Sequence, residues 1–133
     1  MKRCFADTNY FLAIINPDDS AYARAVEYSR NSDLSLVSTA WIFMELANSM
    51  SRSRDRQLFT TILDDFVADP LSLLISADDR LFRLGIALYH NRPDKHWSLT
   101  DCISFIVMEE HGIHEALTAD HHFEQAGFLA LLK

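Results

Sequence analysis

Four acidic residues in this sequence have the type and the placement that metal-assisted chemistry requires: Asp7, Glu45, Asp101 and Asp120. Asp7 follows the short apolar segment RCFA and precedes a helical pattern, and Asp120 repeats that arrangement in EALTADHHF near the C-terminus. Carboxylates that meet in one place repel one another, and a divalent cation with oxygen ligands offsets the repulsion. If the fold gathers these four, the expected chemistry is that of a Mg²⁺- or Mn²⁺-dependent phosphodiesterase.

Each of the four acids also has a purely structural interpretation. Asp7 and Asp120 stand where a helix N-cap accepts a backbone N–H. Ser98 and Asp101 have the spacing of a capping box. Glu45 fits a solvated charge at the boundary of an amphipathic helix. The acids therefore point to a catalytic site as a set, and none does so alone.

The elements that would position these acids are short strands that alternate with longer helical segments. Strands are predicted at residues 3–6, 34–38, 71–76, 115–118 and 127–129. Helices are predicted after Asp7 and at residues 21–32, 39–52, 57–68, 77–91, 100–111 and 122–126. This alternation predicts a parallel sheet covered on both faces, with the functional residues beyond the carboxyl ends of its strands. Asp7 and Asp120 would meet there if the first and fourth strands are neighbours, which the pattern alone does not decide.

The composition indicates one ordinary globular domain over residues 1–133, with 49% hydrophobic and 23% charged residues. No apolar run approaches the roughly 20 residues that span a bilayer, and Cys4 and Cys102 lack metal-ligand spacing, so we expect a reduced, cytoplasmic protein without membrane association. The net charge of −7 weighs against a general nucleic-acid binder. Arg52, Arg54 and Arg56 nevertheless cluster in SRSRDR, which we expect to be a solvated helix connection, with RNA or a partner protein as alternative contacts.

Four motifs in fixed order carry a family resemblance: DTNYFLAI, STAWIFMELANSM, WSLTDCISFIVMEEHGI and EALTADHHFEQAGF. With them the chain resembles PIN-domain ribonucleases of the VapC type, the toxins of bacterial and archaeal toxin–antitoxin pairs. The resemblance implies a PIN-like three-layer α/β/α fold with a parallel sheet in the order 3-2-1-4-5. It also implies a Mg²⁺-dependent endoribonuclease (Mn²⁺ is the alternative metal), an RNA substrate, a homodimer and a cognate antitoxin.

The same resemblance assigns roles to the four acids. Asp7 and Asp101 match the positions of the metal ligands, and Asp120 and Glu45 complete the catalytic set directly or through water. Glu45 is the residue expected to orient or deprotonate the attacking water.

Neighbouring polar residues receive weaker assignments. Thr8, Asn9 and Thr100 fall where the family places residues that orient the carboxylates, with helix capping as the alternative. Zinc at His121 and His122 is not expected, because adjacent side chains should point in different directions and no third nitrogen or sulfur ligand has suitable spacing. His122 is expected to pack or to form a hydrogen bond.

Two other classes of function remain open from the sequence. One is a non-catalytic PIN-fold module for protein interaction, against which the complete acidic set argues. The other is a different metal-dependent phosphoryl-transfer enzyme, such as a phosphatase or a phosphoacceptor. The segment Asp7-Thr8-Asn9 lacks the second acid of an Asp-x-Asp phosphatase motif.

Overall fold

The computed structural model describes residues 1–133, in which five strands alternate with seven helices. The elements in chain order are β1 (Lys2–Ala6), α1 (Thr8–Ile14), α2 (Tyr22–Ser29), β2 (Leu34–Thr39), α3 (Ala40–Ser49), α4 (Ser53–Ala68), β3 (Leu73–Ile75), α5 (Asp79–Asn91), α6 (Leu99–Glu110), β4 (Glu115–Leu117), α7 (His121–Gln125) and β5 (Leu129–Ala130). None of these helices combines the length and the apolar character that crossing a membrane requires.

The strands form one parallel sheet in the order β3-β2-β1-β4-β5, so the predicted α/β class and strand order are confirmed. Crossovers between parallel strands are right-handed. The chain moves from β1 to β3 in one direction and to β4 and β5 in the other, which sends the connecting helices to opposite faces. Accordingly α1 packs against α2 and α3, and α3 against α4, whereas α6 packs against α5 and α7.

Burial is greatest at the central strand. Cys4, Phe5 and Ala6 of β1 have no exposed surface, and they belong to one cluster of 26 buried hydrophobic residues. Aromatic rings fill the space on the two faces of the sheet: Phe11, Phe43 and Phe66 on one, and Phe105 and Phe123 with Trp97 on the other. These close-packed rings hold the end of β1 and the start of α6 rigidly, which matters because both carry predicted site residues.

Three strands are shorter than the sequence predicted, and the fourth, Glu115–Leu117 rather than residues 115–118, is shorter by one residue. The third begins at Leu73 rather than at residue 71, because Asp69 forms a turn: its carbonyl accepts from Ser72 N at 3.1 Å and its Oδ1 accepts from Leu71 N at 2.9 Å. The fifth is Leu129–Ala130 rather than residues 127–129. Gly127 ends the preceding helix with a φ of 96°, a left-handed conformation that a strand residue does not adopt.

Helix boundaries also differ by three or more residues at three places. The helix predicted over 21–32 ends at Ser29, and the one predicted over 39–52 ends at Ser49. The helix predicted to begin at residue 57 begins at Ser53. Arg54 and Arg56 therefore lie in the first turn of α4, and the expectation that they belong to a helix connection is wrong.

Candidate active site

The four predicted acids lie around one cavity at the carboxyl edge of the sheet. Asp7 follows β1, Glu45 comes from the middle of α3, Asp101 from the first turn of α6, and Asp120 from the residue before α7. All four line a cavity of about 340 Å³. The pairing of β1 with β4, which the strand pattern left open, brings the first and last of them to the same edge.

Asp7 is the most buried of the four, with 6% of its surface exposed. It occupies the N-cap position of α1, but its side chain makes no capping hydrogen bond, so the capping interpretation is wrong for this residue. Burial raises the pKa of its carboxyl group to about 7, and the charges of Asp101 and Glu45 act in the same direction. The hydroxyl of Thr118, which donates to Oδ2 at 2.8 Å, opposes the rise.

Thr118 connects three parts of the site although it is completely buried. Its Oγ1 donates to Asp7, accepts from Asn9 Nδ2 at 3.2 Å and accepts from the Asp120 backbone N–H at 3.1 Å. These bonds use the full capacity of a hydroxyl group. Sequence reasoning assigned Thr118 no role, although it is the first residue of the Thr-x-Asp motif. That motif was the available signal, but the partner Asp7 lies 111 positions earlier.

Asp101 belongs to the predicted capping box, and it also faces the cavity. Its Oδ2 accepts from the Ser98 backbone N–H at 3.1 Å, while Ser98 Oγ accepts from the Asp101 backbone N–H at 3.0 Å. His122 Nδ1 lies 3.2 Å from the same oxygen. Burial raises the pKa of Asp101, the charge of Asp120 adds to that rise, and the Ser98 amide and His122 oppose it.

The remaining two acids are each held through one oxygen. Asp120 Oδ1 accepts from the His122 backbone N–H at 2.9 Å, so the predicted N-cap of α7 is present. Glu45 Oε1 accepts from the Thr8 hydroxyl group. The oxygens Oδ1 of Asp101, Oδ2 of Asp120 and Oε2 of Glu45 receive no hydrogen bond from the protein. The capping bonds of Asp101 and Asp120 and the Thr8 bond of Glu45 therefore leave one oxygen of each carboxylate available as a ligand at the cavity.

Two of the three polar residues that the resemblance singled out contact the site network. Thr8 holds Glu45, and Asn9 bridges Thr118 and the backbone N–H of Ala119, which donates to Asn9 Oδ1 at 3.3 Å. Thr100 does not take part through its side chain: only its carbonyl oxygen is bonded, to Ser104 Oγ at 2.9 Å.

His121 and His122 do not diverge as adjacent side chains were expected to. Their ring centroids are 4.4 Å apart, and their Nδ1 atoms lie 3.7 Å and 3.3 Å from Asp120 Oδ1. Together with Asp120 they offer ligand atoms that lie within 4.8 Å of one another. His122 is thus a hydrogen-bonding residue between two of the predicted acids, and it lines the cavity, whereas His121 does not.

This fold and this acidic cavity agree with the comparison to known families. The model of the PIN domain matches residues 4–129, nearly the whole chain. The chain belongs to the PIN domain family, whose members are as a class nucleases.

Solved structures with the same fold include toxins of this family. VapC20 of Mycobacterium tuberculosis, a toxin that cleaves the sarcin–ricin loop, superposes with a TM-score of 0.83 at 19% identity, over 95% of this chain and 96% of that one. VapBC2 of Rickettsia felis, bound to a promoter DNA fragment, superposes with a TM-score of 0.66 at 15% identity, and the match covers 96% of each chain. FitAcB of Neisseria gonorrhoeae superposes with a TM-score of 0.66 at 16% identity, over 96% of this chain and 94% of that one. No curated protein sequence is significantly similar.

Proposed function

We propose that this protein is a divalent-metal-dependent endoribonuclease that hydrolyses RNA phosphodiester bonds, and that it is the toxin of a toxin–antitoxin pair in the cytoplasm. The observation that carries the proposal is the meeting of Asp7, Glu45, Asp101 and Asp120 around one cavity. The atoms available as metal ligands are oxygens on rigid elements, and three of the four acids keep an oxygen that accepts no hydrogen bond from the protein.

The residues present fit a hard divalent cation. The cavity contains four carboxylates but no lysine or arginine, and its basic residues are His96 and His122. The raised pKa values of Asp7 and Asp101 express the cost of keeping these carboxylates ionised without a cation. Mg²⁺ and Mn²⁺ prefer oxygen ligands of this kind, and Asp7 and Asp101 are the residues we propose as ligands.

Each acid has a separate task in the proposed reaction. A bound divalent cation supplies positive charge that polarises the phosphodiester and stabilises the negative charge that develops on it. Asp7 and Asp101 would hold the cation, and Asp120, which shares His122 as a neighbour with Asp101, would complete the acidic set. Glu45 orients the attacking water and takes its proton at Oε2, because Oε1 is already held by the Thr8 hydroxyl.

The same family likeness supports a cognate antitoxin as partner. One similar structure is a toxin–antitoxin complex from Klebsiella pneumoniae, with a TM-score of 0.60 at 17% identity over 89% of this chain. We also propose a homodimer. Phe82, Ile86 and Tyr89 of α5 are exposed by 41%, 41% and 55% and share one helix face through their spacing. Tyr89→Glu should shift the protein from dimer to monomer in sedimentation analysis.

The decisive experiment treats RNA with purified wild type and Asp7→Asn, with Mg²⁺ or with EDTA, and sequences the new RNA ends. Wild type with Mg²⁺ should generate discrete ends that are lost with EDTA and with Asp7→Asn. Asp33→Asn is the matched control, because Asp33 is exposed and does not line the cavity. Retained cleavage by purified Asp7→Asn would refute the site. Absence of cleavage by wild type would favour a non-catalytic interaction module, and transfer of label from a phosphodonor to Asp7 would favour a phosphoacceptor.

A further inference from the structure

A second cavity lies beside the acidic one, between the end of α3 and the first turns of α4. Its volume is about 330 Å³, and its walls include Asn48, Arg56 and Phe59. Glu45 lines the acidic cavity and Asn48 lines this one. Residues three apart on a helix share a face, with Cβ atoms about 5–6 Å apart, so the two cavities adjoin along α3.

The densest cluster of basic residues in the chain lies at the start of α4 beside this cavity, and one of its members, Arg56, lines the cavity. Arg52, Arg54 and Arg56 are all exposed, and no carboxylate oxygen lies within 4 Å of any of them. Five of the other basic residues are paired with acids: Lys2, Arg80, Arg83, Arg92 and Lys133. The only acid in the first turn of α4 is Asp55, so a local excess of positive charge remains on a protein whose net charge is −7.

Arg56 is held in place without being neutralised. Its Nε donates to the Ser51 carbonyl oxygen at 2.8 Å, which fixes the side chain across the junction between α3 and α4. Its two terminal amino groups make no hydrogen bond to the protein. A guanidinium group positioned in this way is suited to binding a phosphate group through those two amino groups.

The other walls offer what a nucleobase requires. Phe59 is half-buried, so one part of its ring is anchored in the core and another part lines the cavity. Aromatic rings in such positions stack bases. Asn48 is exposed and its amide makes no hydrogen bond to the protein, which leaves donors and an acceptor for a base edge.

We propose that this cavity binds the nucleotide that flanks the cleaved phosphodiester of a single-stranded RNA. Arg56 holds its phosphate, Phe59 and Asn48 hold its base, and Arg52 and Arg54 attract the strand electrostatically. This inference rests on the proposed nuclease function, and it adds which surface positions the strand. The occupant is RNA rather than a protein segment, because the cavity and the adjoining start of α4 combine unpaired arginines with one aromatic ring rather than a continuous apolar face.

The test measures binding separately from cleavage. The probe is a fluorescein-labelled single-stranded RNA of mixed sequence and about 12 nucleotides, within the range of single-strand site sizes. Its anisotropy is titrated with wild type, Arg56→Gln, Phe59→Ala and the triple variant of Arg52, Arg54 and Arg56 to Gln, at several salt concentrations. The matched control replaces Arg3, Arg24 and Arg30 with Gln, which removes the same charge from exposed positions elsewhere.

Arg56→Gln should weaken binding and reduce the salt slope of log K by about 0.7, and the triple variant should reduce it by about 2. Phe59→Ala should weaken binding about five- to a hundredfold. The control triple should bind nearly as wild type does. Unchanged melting temperatures should show that the variants fold.

Several results would overturn this proposal. If both triple variants weaken RNA binding equally, binding depends on the overall charge and not on this cavity. If Arg56→Gln leaves the RNA affinity unchanged, Arg56 does not bind the phosphate. If the triple variant of Arg52, Arg54 and Arg56 no longer binds a co-expressed protein partner but keeps its RNA affinity, this surface binds protein rather than RNA. The binding measurement does not depend on catalysis, so failure of wild type to cleave RNA would refute the nuclease function while the affinities still decide the role of this cavity.

Discussion

Thr118 donates a hydrogen bond to Asp7 across the junction of β1 and β4, with 2.8 Å between its Oγ1 and Asp7 Oδ2. The donor is completely buried and the acceptor nearly so, at 0% and 6% exposure. The bond favours the charged form of a carboxyl group whose burial favours the neutral form. One hydroxyl group thus both holds the most buried carboxylate in the cavity and favours its charged form.

Thr118→Val should weaken the site without removing any acid. It leaves Asp7 without this donor and deprives Asn9 Nδ2 and the Asp120 N–H of their acceptor. We expect about 1–3 kcal/mol of lost stability in urea unfolding, and about a 10- to 100-fold rise in the Mg²⁺ concentration needed for half-maximal activity. Thr118→Ser keeps the hydroxyl group and is the control. Equal metal requirements in the Val and Ser variants would contradict a positioning role for this hydroxyl.

The raised pKa of Asp7, about 7, predicts a pH dependence of stability in the metal-free protein. The unfolded chain releases this proton near pH 4, whereas the folded protein keeps it until about pH 7. The contribution to stability is therefore complete below pH 4 and is lost as the pH rises through 7, at about 1.4 kcal/mol per unit of pKa difference. Asp7→Asn, which stays neutral, should be more stable than wild type at pH 8 in EDTA.

Urea unfolding of both proteins at pH 5 and pH 8 in EDTA checks this expectation. Asp101 also has a raised pKa but is present in both proteins, so the difference between their two pH dependences isolates Asp7. Parallel curves for wild type and Asp7→Asn would show that Asp7 is already ionised at pH 5.

Metal should stabilise the folded protein, because the carboxylates repel one another without it. A cation that binds only the folded state adds about 2.7 kcal/mol when its concentration is 100 times its dissociation constant. The melting temperature of wild type should therefore rise with Mg²⁺ or Mn²⁺ and fall again with EDTA. Asp7→Asn should lose most of this response, and Asp33→Asn should keep it. A wild-type melting temperature that does not change with Mg²⁺, Mn²⁺ or EDTA would exclude the proposed metal site.

Gly85→Ala should destabilise the protein although alanine is the better helix former. A Cβ at Gly85 would lie 2.4 Å from Ile103 Cγ1, so α5 and α6 could not keep their present separation. We expect a loss of about 1–3 kcal/mol in urea unfolding, as for other overpacked cores. Ile103→Ala removes the obstructing atoms, so the double variant should lose less than the sum of the two single variants. Additive losses would mean that the clash is relieved elsewhere.

The features of this structure that could be predicted from the sequence are those that depend on local sequence pattern. Asp7 at the end of a strand, the Ser98–Asp101 capping box and the parallel α/β class all follow from short windows of sequence. The strand order came from the family resemblance, because nothing local places β1 beside β4. Local turn chemistry at Asp69 and Gly127 set the strand ends that the hydrophobic pattern misplaced.

The features that the sequence did not predict depend mainly on contacts between residues that are far apart in the chain. Whether Asp7 caps its helix or faces the cavity is decided by Thr118, which competes for its carboxylate from the other end of the chain. The link between Thr8 and Glu45 joins residues 37 positions apart. The approach of His121 to His122 requires both rings to turn toward Asp120, which the rule that adjacent side chains diverge does not anticipate.

The central strand β1 is synthesised well before its partner β4. Until residues 115–120 have left the ribosome, Asp7 has no Thr118 and no Asp120 beside it. A chain that stops before β4 therefore lacks Asp120 and the Thr118 contact to Asp7, and hydrolytic capability would arise only after β4 has joined the sheet. For an enzyme proposed to attack RNA, this order of assembly would spare the message and the ribosome that are producing it.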